Sequence, residues 1–175
     1  MTALPAPTPV RFEHHTDAAL GIGTAEPRLS WQLPSAGEDY RQQRYEIEID
    51  GETYAVDSPE QLLVPWPGPA LESRQAAQVR VRVNDSPWSE PATVEAGLLH
   101  PGDWTARFVS PPTTGDGPVI AGEIDVPGDV VKARLYASAH GIYIPTLNGE
   151  RVGDHQLAPG WTCFGIVKGS EAQRQ

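Results

Sequence analysis

Apolar and polar residues alternate with a period of two in short runs along the whole chain. No window carries the spacing of a long amphipathic helix, a repeat or a coiled coil. Leu29, Trp31 and Leu33 fall on one face of their run, and Tyr45, Ile47 and Ile49 on one face of the next, with Glu46 and Glu48 opposite. Val79-Arg80-Val81-Arg82-Val83 repeats the pattern with arginines outside. Successive side chains of a strand point to opposite faces, so each run predicts a half-buried strand. Asp50-Gly51 predicts a tight turn joining 45–49 to Thr53–Val56. Asn148-Gly149 predicts a second hairpin within Gly141–Asp154, because both residues of such a turn tolerate positive φ. Pro65-Trp66-Pro67-Gly68-Pro69 lacks ladder donors and predicts a loop or a sheet edge.

Six or seven short strands in about 90 residues, separated by turns, predict a fibronectin type III or immunoglobulin-like sandwich over residues 11–99. Trp31 suits the tryptophan buried in such a core. Trp88, in Trp88-Ser89-Glu90-Pro91, is expected to lie over Arg80 and Arg82, indole against guanidinium. Leu98–Trp104 marks a boundary, where Asp103 is expected to cap a turn. A second alternating region follows at 106–109, 119–126, 130–139 and 142–147, with Val131, Ala133, Leu135 and Ala137 on one face. Residues 110–118 read as a flexible loop.

Composition supports an all-β reading. Eighteen Pro and 17 Gly make up roughly a fifth of the 175 residues, which disfavours long helices. The net charge of −10 argues against nucleic acid and against anionic membrane surfaces as partners, since both require a basic footprint. No apolar run is long enough to span a bilayer, and residues 1–10 lack the features of a secretion signal. With Cys163 the single cysteine, a disulfide within the chain is ruled out, and a reducing cytoplasm is the expected location.

Four segments, in order, resemble the N-terminal region of bacterial α-L-rhamnosidases, glycoside hydrolase family 78. They are Gly21–Trp31, Trp88–Pro91, Leu99–Trp104, and the Asn148-Gly149 hairpin followed by Pro159-Gly160-Trp161-Thr162. The resemblance implies a fibronectin-like domain followed, over 104–175, by an incomplete galactose-binding-like or jelly-roll domain. It further implies a parent enzyme that removes terminal α-L-rhamnosyl residues with inversion. There an (α/α)6 barrel carries the two carboxyls, held about 6.5–9.5 Å apart. None of that barrel matches this chain, so no catalytic residue is carried over. Residues 164–175 depart from the family pattern and read as a truncated or altered end. A jelly roll lacking strands exposes sheet edges, so 105–175 are expected to be less stable than 11–97 or to pair with a second copy. The implied partners are the barrel and a rhamnoside. The rival reading is an independent carbohydrate-binding or adhesion module.

A sugar site combines an aromatic face with a few hydrogen-bonding groups. The candidates are Trp161, Tyr143, Asn148 and Asp154, with His140 and His155 nearby in sequence. The resemblance implies calcium-assisted rhamnose binding near Asn148. Calcium needs several hard oxygen ligands, usually including a carboxylate, and the residue before Asn148 is Leu147. Turn formation therefore accounts for Asn148 without a ligand. Trp161 suits packing at the Pro-Gly corner better than ligand contact. Glu13, His14, His15 and Asp17 lack the spacing of a metal site, and the expectation is that no cofactor is bound. Cys163 has no base or orienting group in its motif. Gly21-Ile22-Gly23 is not a nucleotide loop, because no helix follows.

Overall fold

The structure is a computed structural model, and it describes residues 4–15, 19–34, 40–111 and 117–159. The chain divides into two compact units, Met1–Thr105 and Ala106–Gln175. Among the described residues, no helix is long and apolar enough to cross a membrane.

The first unit is a sandwich of short strands: β1 (Arg11–Phe12), β2 (Ala19–Ile22), β3 (Leu29–Ser30), β4 (Tyr45–Ile49), β5 (Glu52–Val56), β6 (Ala76–Val83) and β7 (Ala92–Ala96). One sheet runs β2-β7-β6-β4-β5; the other is β1-β3, extended by a bridge from Leu29 to Val64. The chain thus begins in one sheet as β1 and crosses to the other as β2. There β2 pairs parallel with β7, while every other pairing in the unit is antiparallel. A close backbone approach fixes this crossing. The Gly97 amide donates to the Ile22 carbonyl at 2.8 Å, and a Cβ on Gly97 would lie 2.8 Å from the Gly21 oxygen.

The core lies between the sheets. Leu29, Ile47, Val79, Val81, Val83 and Val94 are fully buried, and Trp31 packs edge-on against Tyr45 with ring centroids 4.9 Å apart. The predicted alternation is the burial pattern: β4 alternates buried and half-buried positions, and so does most of β6. The predicted strand 29–33 is shorter than expected. Ladder pairing stops at Ser30, yet Trp31 stays buried because its indole N–H donates to the buried Gln42 side chain at 3.2 Å. Gln42 in turn donates to the carbonyls of Ser58 and Glu60, so this polar group inside the core is satisfied. Just before β7 begins, Ser89 and Ser86 complete the edge of β6: their hydroxyls accept from the amides of Val81 and Val83, each at 3.0 Å.

The second unit departs from the sequence reading. The strands expected at 106–109, 119–126, 130–139 and 142–145 are not formed. Among the described residues of this unit, the only ladder joins β8 (Thr146–Leu147) to β9 (Glu150–Arg151), an antiparallel pair continued by the Val152 amide donating to the Pro145 carbonyl at 2.9 Å. Val131 is 99% exposed and Ile124 82% exposed, although both sit at apolar positions of an alternating pattern. A strand exists only where a neighbour accepts its backbone hydrogen bonds. Within the described part of this unit, those neighbours are absent outside the hairpin.

Candidate functional site

Three local arrangements carry the polar chemistry of the described residues. The first is the outer face of the five-stranded sheet. Glu46 stands directly opposite Arg82, and Glu48 opposite Arg80. Arg80 binds Glu48 bidentately at 2.8 and 2.7 Å, and Arg82 reaches Glu46 at 2.6 Å. Trp88 covers both guanidinium groups, whose centres lie 5.0 and 4.7 Å from its ring, as the sequence predicts. Each cation is held by a carboxylate and a ring at once, which makes this face a structural ladder.

The second arrangement is the exit of the first unit. Pro101–Asp103 form a single 3-10 turn, and Asp103 caps it as expected. Its carboxylate accepts from the His100 amide at 2.9 Å and from the Ser73 hydroxyl, while Ser73 also accepts from the Leu99 amide at 2.9 Å. The Ser73 hydrogen bond, followed by that of His100, holds the Asp103 carboxyl below its ordinary pKa. Glu13, considered in sequence beside His14 and His15, instead forms a salt bridge with Arg28 at 2.5 Å, and the hydrogen bond from that side chain holds its carboxyl below the usual range. Asp17 lies outside the described residues. Among the described residues, no group of three His, Cys, Asp or Glu side chains could hold a metal ion.

The third arrangement is the hairpin of the second unit, which holds the sugar-contact candidates. Asn148 (φ +51°) and Gly149 (φ +86°) occupy the left-handed conformations that the turn requires, and Asn148 is exposed at the tip. Tyr143 lies at the root, half-buried; its hydroxyl donates to the Ala137 carbonyl and its amide to the Ala158 carbonyl, each at 3.0 Å. Asp154 is exposed beyond β9, where the Arg151 guanidinium donates to the His155 carbonyl. The hairpin therefore places the candidates at its root, tip and far arm. Trp161 and Cys163 lie outside the described residues. His140 is an exposed loop residue, and its ring stacks on Phe108 with centroids 4.3 Å apart. Nothing in the local sequence around either residue signals that contact.

Comparison with known proteins assigns both regions. Residues 7–100, more than half of the chain, match the Rha78A-like N-terminal immunoglobulin domain. This chain belongs to the α-L-rhamnosidase family. Residues 128–167 match the α-L-rhamnosidase N-terminal domain. An α-L-rhamnosidase of Streptomyces avermitilis is 27% identical over 192 residues, covering 85% of this chain and 19% of its own length. One from Formosa agariphila is 28% identical over 174 residues, covering 83% and 19%. The crystal structure of an α-L-rhamnosidase from Aspergillus terreus superposes with a TM-score of 0.64 at 32% identity, covering 89% of this chain and 20% of that one. That of the S. avermitilis enzyme complexed with L-rhamnose gives 0.54 at 31% identity, covering 61% and 12%. The chain thus spans about a fifth of the length of the curated relatives it matches.

Proposed function

We propose that this chain is a non-catalytic β-sandwich section of an α-L-rhamnosidase. Its first unit is a rigid support, and its second unit belongs to a jelly-roll domain that packs against the rest of the enzyme. The whole protein, on this reading, hydrolyses terminal α-L-rhamnosides at a barrel outside these 175 residues.

The observation that carries the reading is that both matched family models describe N-terminal domains of the enzyme. The chemistry of four described carboxylates agrees. Glycoside hydrolysis needs one carboxyl kept protonated as a general acid and a second facing it across the bond. Glu46 and Glu48 are instead bound to arginines, and hydrogen bonds hold Glu13 and Asp103 below their ordinary pKa, opposite to the shift a general acid needs. Among the described residues, thirteen large apolar side chains exposed between Phe108 and Leu157 suit a surface covered by further protein. The test is turnover of an aryl α-L-rhamnoside by the purified chain at high concentration. No product above the blank is expected, and measurable turnover that survives repurification would overturn the reading. Titration with rhamnose by calorimetry, with and without calcium, separates support from carbohydrate recognition at Tyr143, Asn148, Asp154 and Trp161. Calcium-dependent heat assigns recognition, and no heat leaves the support role.

A further inference from the structure

We propose that the outer edge of β5, with the groove beside it, accepts an extended polypeptide segment of alternating apolar and basic residues as an added strand. β5 ends its sheet, bonded to β4 on one side only. The register pairs Ile49 with Glu52 across the two-residue Asp50-Gly51 turn, whose positive φ values of 48° and 95° are those of a tight hairpin. Such a turn closes on a hydrogen-bonded pair, so Glu52, Tyr54 and Val56 bond to β4. The N–H and C=O of Thr53 and Ala55 therefore point away from the sheet. Among the described residues, neither takes part in a backbone hydrogen bond to another element.

Sheet edges are ordinarily blunted by a lysine, a proline, a bulge or a covering segment. β5 reads Glu-Thr-Tyr-Ala-Val in continuous register, and Thr53 and Ala55 are small and exposed. At the Val56 end of the strand opens a groove of about 490 Å³, walled by Tyr45, Val56, Leu62, Leu63 and Trp66. Leu62 is 70% exposed at its rim. Glu60 is the charged residue in the lining, close enough to the Tyr45 hydroxyl to help raise its pKa, though burial contributes more. Glu52 opens the strand, its carboxylate accepting from the Tyr54 hydroxyl at 2.8 Å, and Asp57 follows it.

These features specify the occupant. Tyr54 and Val56 share a face with the buried residues of β4, so an added strand presents apolar side chains to the groove at matching positions. The surrounding acids favour Lys or Arg elsewhere along it. A second copy fits worse. An antiparallel pairing centred on Tyr54 sets Glu52 of one copy against Val56 of the other, bringing a carboxylate to an apolar rim.

The proposal is tested by anisotropy titration of a labelled six-residue peptide of alternating valine and lysine onto the 175-residue chain. Ala55→Pro is the diagnostic variant: its ring replaces an N–H that faces away from β4, so the existing ladder is kept. Leu62→Lys, which replaces an exposed apolar side chain at the rim with a charge like that of the peptide, is the second. Saturable binding is expected, weakened at least tenfold by either substitution and by added salt, with the Thr53 and Ala55 amides gaining exchange protection. Absent binding, or binding unchanged in both variants, would overturn the proposal. So would dimerisation of the chain alone that Ala55→Pro abolishes, which would assign the edge to a second copy.

Discussion

The same alternation appears in both halves of the chain with opposite outcomes. Val79, Val81 and Val83 are completely buried, whereas Val131 and Leu135 are 99% and 59% exposed. Side-chain period alone does not separate the runs. What separates them is the company each keeps. β6 has β4 on one side and β7 on the other, and its inner face belongs to the same buried cluster as Leu29 and Trp31. Residues 130–138 have no ladder partner among the described residues. A period of two is thus a statement about which face would be buried, and distant segments decide whether it is.

The comparison can be broken most forcefully in the core. Ile47→Ala should cost about 2–5 kcal/mol, as deletion of a fully buried aliphatic side chain does, while Leu135→Ala should stay within about 0.5 kcal/mol. Equilibrium denaturation of the two variants measures both, and similar losses would show that the second unit has a core of its own. A smaller effect is expected at Trp88. Trp88→Ala uncovers Arg80 and Arg82 while leaving their carboxylate partners in place, and should cost about 1–2 kcal/mol. The additional loss of either arginine should then be less costly than in the parent chain, which a double-mutant cycle reads directly.

The smallest effect concerns pH. Asp103 and Glu13 have lowered pKa values, so their contribution is complete above the ordinary carboxylate range and disappears as pH falls through the lowered folded values. Stability of the first unit should therefore decline below about pH 4. Asp103→Asn removes one of the two groups and should flatten that acid limb. Thermal unfolding followed from pH 6 to pH 2 tests this, and an identical acid limb in the variant would separate Asp103 from the effect.

Much of the first unit was legible because its signals are local. The Asp50-Gly51 turn, the facing of β4 and β6, the cap at Asp103 and the cover over the arginines all follow from residues read at short spacing. The parallel pairing of β2 with β7 was not legible, since it joins Ala19 to Val94 and depends on the chain crossing between sheets. Nor was the Gln42 bridge from Trp31 to Ser58 and Glu60, whose members are far apart in sequence. Among the sugar-contact candidates, the turn at Asn148 was readable. Their distribution over the hairpin root, tip and far arm was not, because a residue type that suits sugars carries no information on where its neighbours converge.

Hydrogen–deuterium exchange on the 175-residue chain tests the central claim most directly, that the first unit is a self-sufficient sandwich and the second depends on protein that covers it. Amides of β4, β6 and β7 should exchange slowly, by global unfolding, while those over 119–144 should exchange near the rate of an unstructured chain. Equal slow exchange in both regions of a monomer would contradict the account.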